Sequence, residues 1–237
     1  MIVHKDIAQK TDEWFKIKHG KIGGSTAKGL TVKGDTLMVH ILSQMCEDYN
    51  SDSIGFASKD MERGNELEPY AVRDLEISTG IKFLDIGWIE HDTIKLIGIS
   101  PDGLNEDYTI ACEIKCPSAK KHTETIRDNI IPLDNIHQCI HYFTVIDTLE
   151  SLHFASYRPE HKYQPLFIKT ITRDSLVDLG LKTTKEVEVI GKKGLPIKPK
   201  TVSIPDIRTV SQWVSLYEEK AIEMEIQLND EINLIIF

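Results

Sequence analysis

The first eighty residues carry apolar side chains at helical spacing, interrupted by glycine-rich turns. Leu37, Ile41 and Met45, for example, recur about once per helical turn and would share one face of a helix. Glycines at the ends of such segments indicate where helices stop. The predicted helices are Trp14–Lys18, a second that begins near Ser25, a third over Asp35–Tyr49 and a fourth from about residue 60 that ends at Gly80.

From residue 81 the pattern changes to short runs rich in β-branched and aromatic residues, separated by Asp, Asn and Gly, which predict strands. The predicted elements are a three-strand meander over 81–91, 94–104 and 108–116, a helix over Ile136–Ile146, two strands over 151–160 and 163–172, and a long helix over Ile207–Leu234. This order predicts a mixed α/β fold. We expect a single domain over residues 1–237, with helices in 1–80, a sheet and helix in 81–175 and a C-terminal extension in 176–237.

The 237 residues are 41% hydrophobic and 27% charged, so a sizeable core can form. The formal net charge of −9 argues against a protein that coats nucleic acid by bulk attraction. It is compatible with a nucleic-acid enzyme whose basic residues are confined to a groove. The N-terminus lacks an apolar signal core, and no stretch approaches the ~18 apolar residues of a membrane span. With only four irregularly spaced cysteines, we expect a cytoplasmic protein with reduced thiols.

The stretch SPDGLNEDYTIACEIKCPS, at 100–118, places three charged residues in a run that otherwise predicts a strand. Side chains alternate along a strand, so Glu113 and Lys115 share one face while Ile114 points to the opposite, packing face. Asp102 can join the charged pair from the preceding strand across a short connection. Two carboxylates at close range repel each other unless a cation lies between them, and oxygen ligands favour Mg²⁺.

Ordinary structural roles remain open for these charged residues. Glu113 and Lys115 can form a solvated cross-strand pair, which would have little energetic effect. In a helix, Glu68 would lie on the apolar stripe with Ala71 and Leu75, three and seven residues later, where a carboxylate needs a partner. It can instead be an edge residue that the helix dipole stabilises.

Five segments, in this order, resemble the phage-type alkaline exonucleases of the lambda exonuclease/YqaJ group, within the PD-(D/E)XK nuclease superfamily. They are GNELEPYA, ISPDGL, CEIKCP, IHQCIHYF and HFASYRP, and the resemblance spans about residues 10–160. It implies an α/β fold with a restriction-endonuclease-like core, in which helices flank a central mixed sheet.

The resemblance also implies roles for individual residues. Asp102 and Glu113 would bind Mg²⁺, for which Mn²⁺ can substitute, and the backbone carbonyl of Ile114 would be a further metal ligand. Gln138 would hold the active site or the attacking water, whereas without the resemblance it would be a polar surface residue. The catalytic residues implied are Glu68, Asp102, Glu113, Lys115 and Gln138.

The segment KIKHGKIGGSTA resembles the family's binding segment for the terminal 5′-phosphate, in which Lys18 and Ser25 would contact the phosphate. Lys18 stands where the family usually has Arg, so the charge is kept but the bidentate fork is lost. Met61 would be an apolar wedge that separates the duplex end, or else a core residue. Basic residues that could line a DNA groove are Lys120, Lys121, His122, Lys192, Lys193, Lys198 and Lys200.

Three cysteines and a histidine lie near the predicted site: Cys112, Cys116, His137 and Cys139. Some nucleases of this superfamily carry an iron–sulfur cluster. The spacing contains no C-x-x-C element, so we expect buried thiols instead.

Taken together, the resemblance implies a Mg²⁺-dependent exonuclease that degrades one strand of double-stranded DNA 5′ to 3′ and leaves 3′ single-stranded tails for recombination by strand annealing. It further implies a ring-shaped homotrimer, a single-strand annealing protein as partner and no membrane association. One alternative is a PD-(D/E)XK endonuclease of restriction or repair type, which needs no terminal-phosphate pocket. The other is a non-catalytic DNA-binding recombination module, which the joint presence of Glu68, Asp102, Glu113 and Lys115 disfavours.

Overall fold

The computed structural model describes residues 1–32, 34–51, 58–190 and 196–236. The α-helices within these residues are α1 (Asp12–Lys18), α2 (Thr36–Met45), α3 (Lys59–Thr79), α4 (Ala119–Asp128), α5 (Leu133–Val145) and α6 (Val210–Ile236), and a 3₁₀ helix covers Ala27–Leu30. Their ends follow local chemistry, since Thr11 and Ser58 cap α1 and α3 through their side chains. Gly80, with φ of 73°, ends α3 as the sequence predicts.

In the part of the chain that the structure describes, nine strands form two small sheets and a hairpin. They are β1 (Ile2–His4), β2 (Trp88–Glu90), β3 (Gly98–Ile99), β4 (Gly103–Leu104), β5 (Ile110–Lys115), β6 (Ser151–Tyr157), β7 (Leu166–Thr172), β8 (Leu176–Ile190) and β9 (Pro196–Thr209). The first sheet has the order β1-β2-β3 and is antiparallel, and the second has the order β4-β5-β6-β7. In the second sheet β5 and β6 run parallel while its other pairs are antiparallel, so this sheet is mixed.

Helices cover both faces of the four-stranded sheet. On one face, Ala71 and Leu75 of α3 pack against Cys112 and Ile114 of β5. On the other face, α5 belongs to the larger apolar core, which also includes residues of the first sheet and of α6. Burial of these apolar faces is the main stabilising contribution. In the part of the chain that the structure describes, no helix is long and apolar enough to span a membrane.

Several predicted elements are confirmed, among them α1, α3, α5, α6 and the strands β6 and β7. The predicted three-strand meander is wrong in its connectivity, because β3 and β4 belong to different sheets. The helix expected near Ser25 is only the short 3₁₀ helix, and the helix expected to reach Tyr49 ends at Met45. Helix α4 and the long hairpin of β8 and β9 were not predicted.

Candidate active site

Strand β5 presents its charged and apolar residues to opposite faces, as its period of two predicts. Ile114 packs with the α3 side of the sheet, whereas Glu113 is fully buried on the α5 side. The Glu113 carboxylate forms an ion pair with Lys115 through Oε1. Its Oε2 accepts a hydrogen bond of 2.8 Å from Nε2 of Gln138 on α5. The structure therefore joins three of the predicted residues and makes the solvated-pair alternative wrong.

Asp102 lies in the connection between β3 and β4 and is fixed directly to β5. Its Oδ2 accepts a hydrogen bond of 2.6 Å from the backbone N–H of Ile114. Tyr142 secures the same connection, since its hydroxyl accepts from the Asp102 N–H at 3.1 Å and donates to the carbonyl of Cys112 at 3.2 Å. Sequence reasoning missed Tyr142, although its position four residues after Gln138 puts both on one face of α5.

Close carboxylates determine the electrostatics of this site. Burial and the neighbouring Glu113 carboxylate raise the pKa of Asp102 well above its ordinary value, with a smaller effect from Glu68. For Lys115, burial disfavours the ammonium, but the Glu113 and Asp102 carboxylates outweigh burial and raise its pKa. Lys115 therefore keeps its proton at neutral pH and is a positive charge and hydrogen-bond donor rather than a free base.

The donor set fits a hard divalent cation. Glu113 Oε1 is buried and, apart from its ion pair with Lys115, has no hydrogen bond of acceptable geometry. Within residues 1–32, 34–51, 58–190 and 196–236, no group of three or more His, Cys, Asp or Glu side chains could hold a metal. The carboxylates of Asp102 and Glu113 are oxygen donors of the kind that hard divalent cations prefer, and such a cation can keep several waters and bind substrate phosphates.

Glu68 lies at the edge of this carboxylate pair. Its side chain, on α3, is about one-third exposed, and its Oε2 is 3.7 Å from Nζ of Lys10. With Lys115 and Met61 it lines an open cleft of about 730 Å³. Met61 is 60% exposed on this cleft, which makes the core-packing alternative for it wrong.

Two arginines that sequence reasoning missed also line the cleft. Arg63 donates to the carbonyl of Cys116 at 3.2 Å, and Arg158 donates to the carbonyl of Pro117 at 3.1 Å. Both also pair with Glu160. They hold the chain directly after Lys115, and the RP pair in HFASYRP is the sequence signal that could have identified Arg158.

The predicted phosphate-binding residues lie on different local features. The Lys18 ammonium is 3.3 Å from the ring centroid of Trp14, and desolvation lowers its pKa to about 8. Ser25 is exposed beside a shallow groove of about 420 Å³ that Lys28 also lines. Lys18 is not one of the described residues that line this groove, so it does not share the groove with Ser25.

The glycine-rich turn nevertheless reaches the carboxylate site. A Cβ atom at Gly24 would lie 2.8 Å from Cγ and 3.2 Å from Nε2 of Gln138. Only glycine fits this approach without displacing the amide that binds Glu113.

The remaining basic candidates have mixed outcomes. Lys121 lines the cleft, and Lys120, Lys198 and Lys200 are exposed. The groove prediction is wrong for His122, which is buried and bonds to Ser156 Oγ at 2.7 Å and to the carbonyl of Gln164 at 2.9 Å. Lys192 and Lys193 lie outside the described residues.

The cysteines are free thiols, as expected. Cys112 and Cys139 are buried and Cys116 is half-buried. His137 contacts the Tyr217 hydroxyl at 2.6 Å.

Comparisons with known proteins agree with this fold and motif order. The family model of the YqaJ-like viral recombinase domain matches residues 13–148. A search of curated proteins gave no match. The crystal structure of the alkaline exonuclease LHK-Exo from Laribacter hongkongensis is similar with a TM-score of 0.71 at 24% identity, covering 95% of this chain and 96% of that chain. The structure of LHK-Exo in complex with dAMP gives the same values.

A phage-related exonuclease from Haemophilus somnus is similar with a TM-score of 0.51 at 12% identity, covering 90% of this chain and 96% of that chain. At these identities, the structural similarities establish the fold. They confirm the predicted mixed α/β class, in which helices flank a mixed sheet.

Proposed function

We propose that this protein is a Mg²⁺-dependent exonuclease acting on the ends of double-stranded DNA. The chain belongs to the family of YqaJ-like viral recombinase domains, which supports a role in recombination. It degrades one strand 5′ to 3′ and leaves 3′ single-stranded tails for recombination by strand annealing. Mn²⁺ serves as a substitute metal. We further propose that the protein assembles into a homotrimeric ring and that a single-strand annealing protein is its partner.

One observation carries the proposal: the buried Glu113 carboxylate is held by Lys115 and Gln138 beside Asp102, and Lys115 itself lines a cleft open to solvent. A purely structural ion pair gains nothing from a second carboxylate at close range. A site for a cation and a phosphodiester does, because the cation offsets the repulsion. The open cleft admits a polymer, which a closed pocket would exclude.

Each side chain of the site has its own role in the proposed reaction. Asp102 and Glu113, with the carbonyl of Ile114, hold the metal, which when bound supplies an acidified water and polarises a phosphate oxygen. Lys115 stays protonated, so it orients the water and offsets negative charge at the phosphate. Gln138 keeps the Glu113 carboxylate in place, and Glu68 completes the site from α3.

The choice of a 5′ end rests on the N-terminal segment. Lys18 and Ser25 bind the terminal phosphate, and Met61 at the cleft rim separates the duplex end. The contact of Gly24 with Gln138 supports this assignment, because it brings the glycine-rich turn against the residues that hold Glu113. An endonuclease of the same superfamily needs no such segment.

The test incubates the protein with linear duplexes that differ only in 5′-phosphorylation, with and without Mg²⁺, and follows both strands. We expect Mg²⁺-dependent loss of the 5′-phosphorylated strand and accumulation of the 3′-ended strand. Cleavage of covalently closed circles would favour the endonuclease instead. Binding of DNA without any cleavage would favour the non-catalytic module.

A further inference from the structure

Lys10 has an unusual backbone conformation directly beside the active site. Its φ of 67° lies in the left-handed region, and in the part of the chain that the structure describes only Tyr108 and Asn129 share this feature among non-glycine residues. A side chain there is strained, because Cβ crowds the following carbonyl. Glycine would adopt the same turn without strain.

The neighbours of Lys10 fix this turn firmly. Gln9 Nε2 donates to the carbonyl of Ile86 at 3.0 Å and to that of Pro101 at 2.8 Å. Pro101 directly precedes Asp102, so the turn is bonded to the loop that carries a predicted metal ligand. On its other side, Thr11 begins α1 by accepting from the Trp14 N–H. The position of Lys10 relative to Asp102 is therefore built into the fold.

The side chain of Lys10 extends from this turn to Glu68. Its Nζ is 3.7 Å from Glu68 Oε2, and its side chain is 47% exposed. An ion pair this exposed contributes little to stability and does not offset a strained backbone. Stability alone would thus favour glycine at this position, and the lysine calls for a functional explanation.

The charge of the cleft supplies that explanation. Among the described residues, the carboxylates of Asp60, Glu68 and Asp134 line it beside four cations, of which Arg63 and Arg158 are paired with Glu160 and Lys115 with Glu113, which leaves Lys121. The whole chain has a net charge of −9. A DNA strand that enters the cleft adds further negative charge. Cations beside the carboxylates are needed to hold it in register.

We propose that Lys10 contacts the bound DNA. It pairs with Glu68 in the free protein and donates to a backbone phosphate oxygen of the strand in the cleft. This role rests on the proposed exonuclease function. Lys10 is thus a substrate-positioning residue, and the fixed turn at Gln9 determines where the phosphate lies relative to Asp102.

The test compares Lys10→Met, Lys10→Arg and Lys10→Gly in a Lys115→Ala background with Mg²⁺, so that DNA is bound but not cut. The affinity for a 5′-phosphorylated duplex is measured by fluorescence anisotropy over a series of salt concentrations. Loss of one phosphate contact lowers the slope of log K against log[salt] by about 0.7 to 0.9. We expect this decrease for Lys10→Met and Lys10→Gly, and an unchanged slope for Lys10→Arg.

Stability gives a second readout with the opposite sign. Lys10→Gly relieves the backbone strain, so its thermal midpoint should rise by about 2 °C or more while its DNA binding weakens. Lys10→Met keeps the strained backbone and should leave the midpoint nearly unchanged. Lys220→Met is the matched control, because Lys220 is also a partly exposed lysine paired with a glutamate, Glu223, but lies on α6.

Three results would overturn the role of Lys10. They are an unchanged salt slope in Lys10→Met, an equal decrease in the Lys220→Met control, or lost cleavage with unchanged binding, which would make Lys10 a support for Glu68 alone. Failure of the function itself looks different, since the unaltered protein would then not degrade linear duplexes at all.

Discussion

Replacing Lys115 with methionine tests the carboxylate site most directly. Methionine keeps the apolar stem of the side chain but removes the ammonium that faces Glu113. The fully buried Glu113 carboxylate is then left with the Gln138 amide as its hydrogen-bond donor and with Asp102 nearby. We expect loss of DNA cleavage together with a loss of stability that a metal ion can restore.

The size of the stability change follows from burial. Removing one partner of a fully buried ion pair costs about 3–5 kcal/mol. Here the Lys115 side chain is 35% exposed, so water screens part of the interaction and we expect about 2–3 kcal/mol. A cation between the carboxylates takes over the missing charge, and at about 100 times its Kd it stabilises the fold by about 2.7 kcal/mol.

The assay is chemical denaturation of the unaltered protein and of Lys115→Met, each with EDTA and with saturating Mg²⁺. The variant should lose stability in EDTA and recover most of it with Mg²⁺, while the unaltered protein gains less because its lysine competes with the metal. Lys169→Met, at a half-buried lysine on β7, is the control and should show no difference in metal response. A loss in Lys115→Met that Mg²⁺ does not relieve would refute a metal site at Glu113.

Three further predictions concern pH and positioning. Because the pKa of Lys18 is lowered to about 8, the preference for 5′-phosphorylated over unphosphorylated duplexes should fall above about pH 8. The Lys18→Arg variant should retain this preference at higher pH. A preference that does not change with pH in either protein would contradict the assignment of Lys18. Burial lowers the pKa of His141 to about 4, so the unfolded chain binds a proton first on acidification. The free energy of unfolding should fall by about 3 kcal/mol between about pH 6.5 and 4, and a slope that persists in His141→Gln would argue against this origin. Gly24→Ala should displace the Gln138 amide and slow cleavage about tenfold or more, as loss of a hydrogen bond to a charged group implies, whereas Gly23→Ala, in ordinary contact with its neighbours, should not.

Local sequence patterns predicted those elements whose faces differ in polarity. Apolar residues recur with the helical period in α3 and with a period of two in β5. Gly80, in the left-handed conformation, marks the end of α3. The division of the meander into two sheets depends on long-range pairing, since β5 lies beside β6, about 40 residues later in the chain. Strand β8 does alternate, with Val177, Leu179 and Leu181 on its less exposed face, so the signal for a strand was present in the sequence and was overlooked.

The candidate site was predictable to the extent that its residues lie in continuous motifs. Asp102, Glu113 and Lys115 follow from strand alternation, and the structure confirms their proximity. Lys10 reaches the site from a distant part of the chain, whereas Tyr142 lies in the IHQCIHYF segment itself. Tyr142 acts through its hydroxyl on backbone groups, which leaves no charge pattern in the sequence.

The active site works against the stability of the fold that contains it. A raised pKa of Asp102 means that the folded protein retains a proton that the unfolded chain releases at lower pH. Between the ordinary pKa of an aspartate and the raised pKa of Asp102 in the folded protein, the free energy of unfolding therefore decreases as the pH rises. Above the raised pKa this decrease is complete. Lys115 offsets part of this decrease by pairing with Glu113, and a divalent cation bound by both carboxylates would offset more. Metal binding then displaces the Asp102 proton, so the affinity for the metal should itself increase with pH.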